Sequence, residues 1–533
     1  MAAKVLAEVV RSTIGPRGMD KMLVASMGDI VITNDGATIM KEMDVQNPAA
    51  KMLVEVAKTQ DQEVGDGTTT SVVLAGELLA GAESLLDRDV HPNIIIDGYR
   101  LASEKALEIL DKIALNIKPD DENQLKQIAL TSLNTKGIFG SQKHFADLAV
   151  DAVRQVMEKH DGKVKADIDL VKVMKKHGQS LDETELVNGI IIDKEVSHSQ
   201  MPKKVSDARI ALLNAKLEIE KTEMEAKINI NKPEEMLAFI QEEENMLNEM
   251  AEEVAKTGAN VLFTEKGVDD QVLASLAKKG ILTVKNVSSS DMEKLAKATG
   301  GSVIGTTKDL AKAALGQAKL VEEVKIGDDK LVYVREAKNP KAVTIMIRGG
   351  SEHVVDEAER SMHDALCVVR NAVEDGKILA GGGAPEAELA KRLKEYAVKV
   401  GGREQLAVTA FAEALEAIPV AIAHNAGFDP IDIMVELRAK HNTAANIWYG
   451  VNVSTGKTSD MWKMNVVEPL RVKTQVIKSA VEAVTMLLRV DDVIASKGTS
   501  GAPSGMPPGM PPGGMGGMGG MGGMGGMGGM GMD

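Results

Sequence analysis

The sequence carries a single cysteine, Cys367, in 533 residues. One thiol excludes an internal disulfide framework and a Cys-rich zinc site, and it suits a reducing cytoplasm. Aromatic side chains make up only 2% of the residues, too few for the stacking surfaces that hold single-stranded nucleic acid. Positive charge is also in deficit: 63 Lys and Arg face 78 Asp and Glu, for a formal net charge of -15. A surface of that sign disfavours broad binding to nucleic acid or anionic membrane, so neither is an expected partner. No apolar run approaches the ~18 residues that span a bilayer, and Pro419 interrupts the stretch from Ala417 to Ala423. The residues from Met1 to Arg11 follow an amphipathic helical pattern with Glu8 inside it, unlike a signal peptide. Missing as well are the Gly-x-x-x-x-Gly-Lys-Ser/Thr P-loop, His-Glu-x-x-His and Gly-x-Ser-x-Gly, and the nine histidines show no metal-ligand spacing. Several common hydrolase classes lose support accordingly.

What is present reads as a large globular protein of about two to four domains, with 44% hydrophobic and 26% charged residues. From Met1 to about Leu115, Ala, Val and Leu recur at helical spacing, with a hairpin-like interruption at Asp29–Ile39, and the same character returns after Gly381. Between Ala259 and Val303 short strands alternate with helices that begin at Asp269 and Asp291, which predicts an α/β region with at least one parallel strand pair. Ser290 and Glu293 have capping-box spacing, and Gly300 supplies a helix stop. A glutamate-rich helix is predicted over Pro233–Lys256, apolar at Met236, Ile240, Leu247, Met250 and Val254. It fits either a packed surface helix or a segment that packs only in some states. Beyond about Ser496 the chain turns to Gly, Pro and Met, with Gly-Gly-Met triplets from Gly513 to Met530. Such a tail cannot offset its ordering entropy and is predicted to be disordered, either inert or engaged in weak apolar contacts.

Three segments near the start have the makings of a phosphate site. In Ser12-Thr13-Ile14-Gly15-Pro16-Arg17-Gly18 a helix stops and two glycines let backbone approach a ligand, although read alone it is a helix C-terminal loop. Thr33-Asn34-Asp35-Gly36-Ala37-Thr38 contains an Asn-Asp-Gly step, a hairpin turn by its own logic, with Asp35 as a turn residue. Gly65-Asp66-Gly67-Thr68-Thr69-Thr70 follows a helix running from Pro48 to about Gln60 and opens another. A helix N-terminus offers free N–H groups to an anion, the threonines add donors, and an aspartate there can reach Mg²⁺. The alternative is a helix capped by Asp66 or Thr68. Gly381-Gly382-Gly383 by itself marks only a turn.

Together and in this order the segments resemble a group II chaperonin of the archaeal thermosome type, related to the eukaryotic cytosolic chaperonin. The resemblance runs through Thr-Ile-Gly-Pro-Arg-Gly-Met-Asp-Lys at 13–21, Thr-Asn-Asp-Gly at 33–36, Gly-Asp-Gly-Thr-Thr-Thr at 65–70, Ala-Gly-Gly-Gly at 380–383, Gly-Arg-Glu-Gln-Leu-Ala at 402–407 and Val-Glu-Pro-Leu-Arg-Val-Lys at 467–473. It implies a multidomain α and α/β fold. A mainly helical equatorial ATPase domain would comprise 1–118 and 376–500, and a small α/β intermediate hinge domain 119–188 and 341–375. An inserted α/β apical domain would span 189–340, with a helical lid protrusion near 217–257, ahead of a disordered tail at 501–533. The family carries a further segment before its first equatorial helix that contributes to contacts between subunits, and this chain starts with Met1 inside that region, so ring stability is the property expected to respond.

The resemblance also assigns roles. Thr13, Ile14 and Gly15 would line the phosphates of ATP, Asp66 would bind Mg²⁺, and Gly67, Thr68, Thr69 and Thr70 would contact phosphate oxygens. Lys136 would sense the γ-phosphate, and Gly382 and Glu468 would lie near the ribose. Asp364 would be the catalytic aspartate and Asp35 would help orient the attacking water. Read without the family, Lys136 is a loop lysine, and Asp364, four residues after Arg360, belongs to a solvated Arg/Asp pair. The implied partners are unfolded polypeptides, further copies of the chain in stacked rings of eight or nine, and prefoldin, all in the cytoplasm. Two rivals share the same residues: a small-molecule kinase and a non-catalytic ring that binds ATP only to assemble.

Overall fold

The alanine- and leucine-rich ends of the chain build one core together. In the computed structural model, which describes residues 1–24, 28–138, 140–160, 162–219, 233–310, 315–337 and 341–492, helices Ala2–Arg11, Pro48–Val64, Thr68–Leu86 and Pro92–Ile113 pack with Ala384–Val400, Glu404–Asn425 and Leu470–Leu488. Small residues set the spacing. A Cβ on Gly76 would stand 2.4 Å from the Cβ of Ala7, so the first helix lies closer to Thr68–Leu86 than any side chain there would permit. Tyr99 is fully buried, donates its hydroxyl to the Leu78 carbonyl at 2.7 Å and meets Phe411 edge to face at 5.8 Å.

Two of these helices depart from the sequence reading. Thr68–Leu86 and Glu404–Asn425 are by length and composition apolar enough to cross a membrane, and Pro419 sits inside the second without ending it. Both lie against several helices of this core. That burial outweighs the ~3 kcal/mol an internal proline costs, and Gly383 leaves room for the ring, since a Cβ there would lie 2.8 Å from Pro419 Cβ.

A second core joins helices Glu122–Leu133, Gln142–Val156 and Glu352–Asp375 to a three-stranded sheet. In that sheet Val343–Gly349 is central, parallel to Val171–His177 and antiparallel to Glu185–Val187. The third core belongs to a seven-stranded mixed sheet between Gly189 and Ala337. Its Val261–Thr264 strand runs parallel to Leu282–Val284 on one side and to Lys204–Leu213 on the other, as the strand and helix alternation predicts.

Local signals were read less well than the pattern. The Asn34-Asp35-Gly36 step is not a hairpin turn. The hairpin lies upstream, between Lys21–Val24 and Ile30–Thr33, and Asp35 caps the helix Gly36–Glu42 by accepting the Thr38 N–H at 2.8 Å. The predicted capping box at Ser290 is replaced by Ser288, whose hydroxyl accepts the Asp291 N–H at 3.1 Å, so the helix starts at Ser289. Gly300 ends it in the left-handed conformation, as expected. The helix predicted to stop near Gln60 continues to Val64.

The glutamate-rich helix spans Pro233–Lys256. Leu247, Ala251 and Val254 are buried beside the helix Asp270–Lys278, whereas Met236, Leu237, Phe239 and Ile240 are exposed. One helix is therefore anchored at its C-terminal half and bare along its N-terminal half. Residues 220–232 of the expected protrusion and the whole tail at 501–533 lie outside the described residues.

Candidate functional site

Three backbone devices converge on one cleft of about 600 Å³. The first is the end of helix Ala2–Arg11. Asn425 donates both to the Arg11 and to the Ile14 carbonyl at 2.9 Å, pinning the Thr13–Gly15 loop, and Thr13 Oγ1 stands 3.4 Å from Thr69 Oγ1. The second is the start of helix Thr68–Leu86. Its N-cap is Gly67 in the left-handed region at φ 77°, with no side-chain cap. The alternative reading, a helix capped by Asp66 or Thr68, therefore fails. Among the described residues the first-turn N–H groups of Thr68, Thr69 and Thr70 have no partner, the state an anion would satisfy. Asp66 is held beside them: Gln60 donates to its carbonyl at 2.7 Å, and its Oδ1 accepts the Gly67 N–H at 2.6 Å. The third is Gly382-Gly383, both left-handed, which start helix Ala384–Val400. Gly382 is more than a turn residue, because its carbonyl accepts the Val451 N–H at 2.9 Å and a Cβ there would stand 2.7 Å from the Met461 sulfur.

The cleft lining gathers Thr13, Ile14, Gly15, Asp66, Gly67, Thr68, Thr69, Thr70, Lys136, Gly382 and Glu468. Asp35 and Asp364 stand behind that lining, each one contact away. Asp35 Oδ1 accepts the Thr68 hydroxyl at 3.1 Å, while its Oδ2 takes the N–H and hydroxyl of Thr38 at 2.8 Å. Asp364 Oδ2 lies 2.5 Å from Lys136 Nζ, with both side chains buried. Neither is what its local sequence suggested. Arg360 pairs with Glu357 at 2.9 Å rather than with Asp364, and Lys136 is a buried cation rather than a loop lysine.

Burial and charge divide the carboxylates. Burial pushes Asp364 up to about 6 despite the opposing pull of Lys136. Burial acts on Asp35 in the same sense, but the Lys136 charge and the hydrogen bonds from Thr38 and Thr68 outweigh it and hold Asp35 below the usual range. Lys136 keeps its proton strongly: desolvation works against the charge, and Asp364, Asp35 and Asp66 overcome it. Two neighbouring carboxyls of different basicity around one ammonium make an asymmetric set, with the more basic one suited to take a proton near neutrality.

At the other end of the cleft Glu468 lies on the short strand Val467–Pro469, paired with Lys377–Ala380. Sequence reasoning passed over its neighbour Lys473. That ammonium is buried between Glu386 Oε1 at 2.7 Å and Glu468 Oε2 at 3.1 Å. The Val-Glu-Pro-Leu-Arg-Val-Lys stretch contains both residues, but nothing in the spacing says that they pair. Burial, opposed by Lys473 and reinforced by Glu386, pushes Glu468 up to about 7. The only two tryptophans of the chain, Trp448 and Trp462, have ring centroids 6.3 Å apart; Trp448 packs against the cluster of the cleft-lining Met461, whose N–H donates to the Trp448 carbonyl at 2.9 Å.

The arrangement fits a nucleotide: unpartnered helix N–H groups and hydroxyls for phosphate, a carboxylate beside them for a hard cation, and a partly buried carboxyl at the far end for hydroxyl donors. Comparison with known proteins identifies the family. The profile of the TCP-1/cpn60 chaperonin family matches residues 6–498. A thermosome subunit of Methanopyrus kandleri is 57% identical over 497 residues, covering 93% of this chain and 91% of that one. Thermosome subunit alpha of Archaeoglobus fulgidus is 56% identical over 498 residues, with the same coverage of 93% and 91%. Among solved structures, the open-state monomer of a group II chaperonin from Methanococcoides burtonii is similar with a TM-score of 0.60 and 46% identity, over 80% of this chain and 100% of that chain. The glycine-framed cleft thus occurs in a chain that such relatives match from near one end to near the other, and this chain belongs to the TCP-1/cpn60 chaperonin family, as a group II chaperonin of the thermosome type.

Proposed function

We propose that this chaperonin binds Mg²⁺–ATP in the cleft, hydrolyses it, and uses the cycle to enclose unfolded polypeptide in a double ring closed by a built-in lid. The observation that carries the reading is the run of unpartnered N–H groups at Thr68–Thr70 beside Asp66. In this scheme the N–H groups of that turn and the hydroxyls of Thr69 and Thr70, with the Thr13–Gly15 backbone, hold phosphate oxygens, and Asp66 is the metal ligand. Mg²⁺ held by Asp66 would supply positive charge to offset the charge that develops on phosphate. Lys136 reaches towards the γ-phosphate. Asp364 positions a water and accepts its proton, and Asp35, fixed in the ionised state by Lys136, Thr38 and Thr68, orients that water.

The three large cores support a division into an equatorial domain of 1–118 and 376–500, an intermediate domain of 119–188 and 341–375, and an apical domain of 189–340. The exposed N-terminal half of Pro233–Lys256 supports a lid and client contact there, because bare apolar surface of this kind seeks a cover. The two-stranded Lys21–Thr33 ribbon leaves Met22, Val24, Ile30 and Ile32 exposed, which supports self-association into stacked rings of eight or nine copies. Prefoldin as a source of clients and a cytoplasmic location belong to the same proposal.

Light scattering with and without Mg²⁺–ATP, run beside the refolding of a denatured client, tests the whole. The expected particle holds ~16–18 subunits of 56.7 kDa, near 0.9–1.0 MDa, and client recovery requires hydrolysable ATP. A monomer without ATPase activity defeats the proposal.

Glu468 gives a sharper local test. The ionised carboxylate accepts two ribose hydroxyls, whereas the protonated form accepts fewer. Since burial holds it at about 7, nucleotide affinity should rise as pH climbs through that value, and Glu468→Gln should flatten the rise. Equilibrium nucleotide titrations across pH read this directly. A slope that persists unchanged in the variant removes Glu468 from the ribose site.

A further inference from the structure

Lys136 occupies only one of the two oxygens of Asp364. The other, Oδ1, faces His363, whose Nδ1 is 3.8 Å away, too far for a hydrogen bond. A third group arrives from another helix. Asp61, in the last turn of Pro48–Val64, brings its carboxylate to the same spot, and the ligand atoms of Asp61, His363 and Asp364 all lie within 4.8 Å of one another. Cys367, one turn further along the Asp364 helix, sets its sulfur 3.8 Å from Nε2 and 3.9 Å from Nδ1 of His363.

Charge around this cluster is unbalanced. Asp35 and Asp66 act on both Asp61 and Asp364, so four carboxylates surround two basic groups, the Lys136 ammonium and the His363 ring, which Asp364 and Cys367 push up to about 11. Burial and the nearby Asp35 charge push the Asp61 carboxyl up against the opposing charges of His363 and Lys136. The ring of His363 is half-exposed, free to swing the short distance that closes a coordination sphere.

We propose that Asp61, His363 and Oδ1 of Asp364 form a site for a divalent transition-metal ion of the Zn²⁺ class. Such an ion draws Asp364 away from hydrolysis and ties helix Glu352–Asp375 to helix Pro48–Val64. One imidazole and two carboxylates, with a thiol alongside, favour a borderline ion, whereas Mg²⁺ prefers oxygen and water in octahedral array. The three ligands do not include Asp66, the residue assigned to Mg²⁺. Binding of the ion stands on the cluster alone, and only its effect on turnover rests on Asp364 being the hydrolytic group.

The test uses the full chain without nucleotide, titrated with ZnCl₂ by calorimetry and with CoCl₂ by visible absorption. One ion per chain is expected, with cobalt bands of a low-symmetry nitrogen and oxygen site. His363→Ala and, independently, Asp61→Asn should each weaken binding by more than ~10-fold. In a second arm, free Zn²⁺ fixed by a metal buffer should slow steady-state hydrolysis at saturating Mg²⁺–ATP in the wild type and leave His363→Ala unaffected. Binding that is unchanged in both variants overturns the site. Binding lost in the variants, with wild-type hydrolysis indifferent to Zn²⁺, upholds the site and counts against Asp364 as the group hydrolysis needs.

Discussion

Replacing Asp364 with alanine should slow ATP hydrolysis by ~10²–10⁴-fold, the usual worth of a positioned general base, while nucleotide binding survives. The expectation follows from placement. Asp364 lies outside the cleft lining, so its removal takes away no direct contact to phosphate or ribose, yet it touches Lys136, which does line the cleft. Its carboxyl, held at about 6 by burial, is ionised at neutral pH and basic enough to take a proton from water. Hydrolysis should therefore fall as pH drops through about 6, because the protonated acid cannot serve as base. Phosphate release and equilibrium binding, measured side by side for Asp364→Ala and the shape-preserving Asp364→Asn, check both statements. Turnover at the wild-type rate in the alanine variant would reject the role.

Lys136→Met should be the most damaging single change to stability. It strips the cation from between Asp364 and Asp35, both buried, and breaking a buried pair from one side costs ~3–5 kcal/mol. The pH dependence has a definite sign. An unpaired buried carboxylate is costly only while ionised, so the deficit is greatest well above the pH at which Asp364 takes up its proton and shrinks below it. The double variant Lys136→Met with Asp364→Ala should be less destabilised than the sum of the singles, since one orphaned charge has gone. Thermal midpoints on either side of that pH, for the two singles and the double, measure this. Equal losses at both would mean that Lys136 contributes packing rather than charge.

The half of the cleft proposed to hold phosphate was legible in the sequence because it is made of backbone. Where a chain needs positive φ and close approach, it writes glycine, and Gly15, Gly67 and Gly382 all have that conformation. Side chains that act across long separations leave no such mark. Asp364 and Lys136 meet because a helix from late in the chain crosses a loop from early in it, and neither neighbourhood announces the other. The resemblance to a known family supplied both residues, whereas local reasoning offered an Arg360 partner that the structure gives to Glu357. Lys473 was missed for the same reason. The failed local readings share a cause with these. Asn34-Asp35-Gly36 serves equally well as a hairpin turn or a helix start, and only the strand pairing upstream decides. Pro419 breaks helices in isolation, but here the surrounding core holds the helix together. The α/β alternation after Ala259 and the long helix Pro233–Lys256 were read correctly because periodic burial is a property of the segment itself.

The scarcity of aromatic residues has a practical side. With only Trp448 and Trp462 in the chain, their rings 6.3 Å apart and Trp448 packed against the cluster of the cleft-lining Met461, tryptophan emission comes from a single location. The molecule carries its own optical gauge of the cleft, which needs no label and has no other tryptophan in the subunit to dilute it.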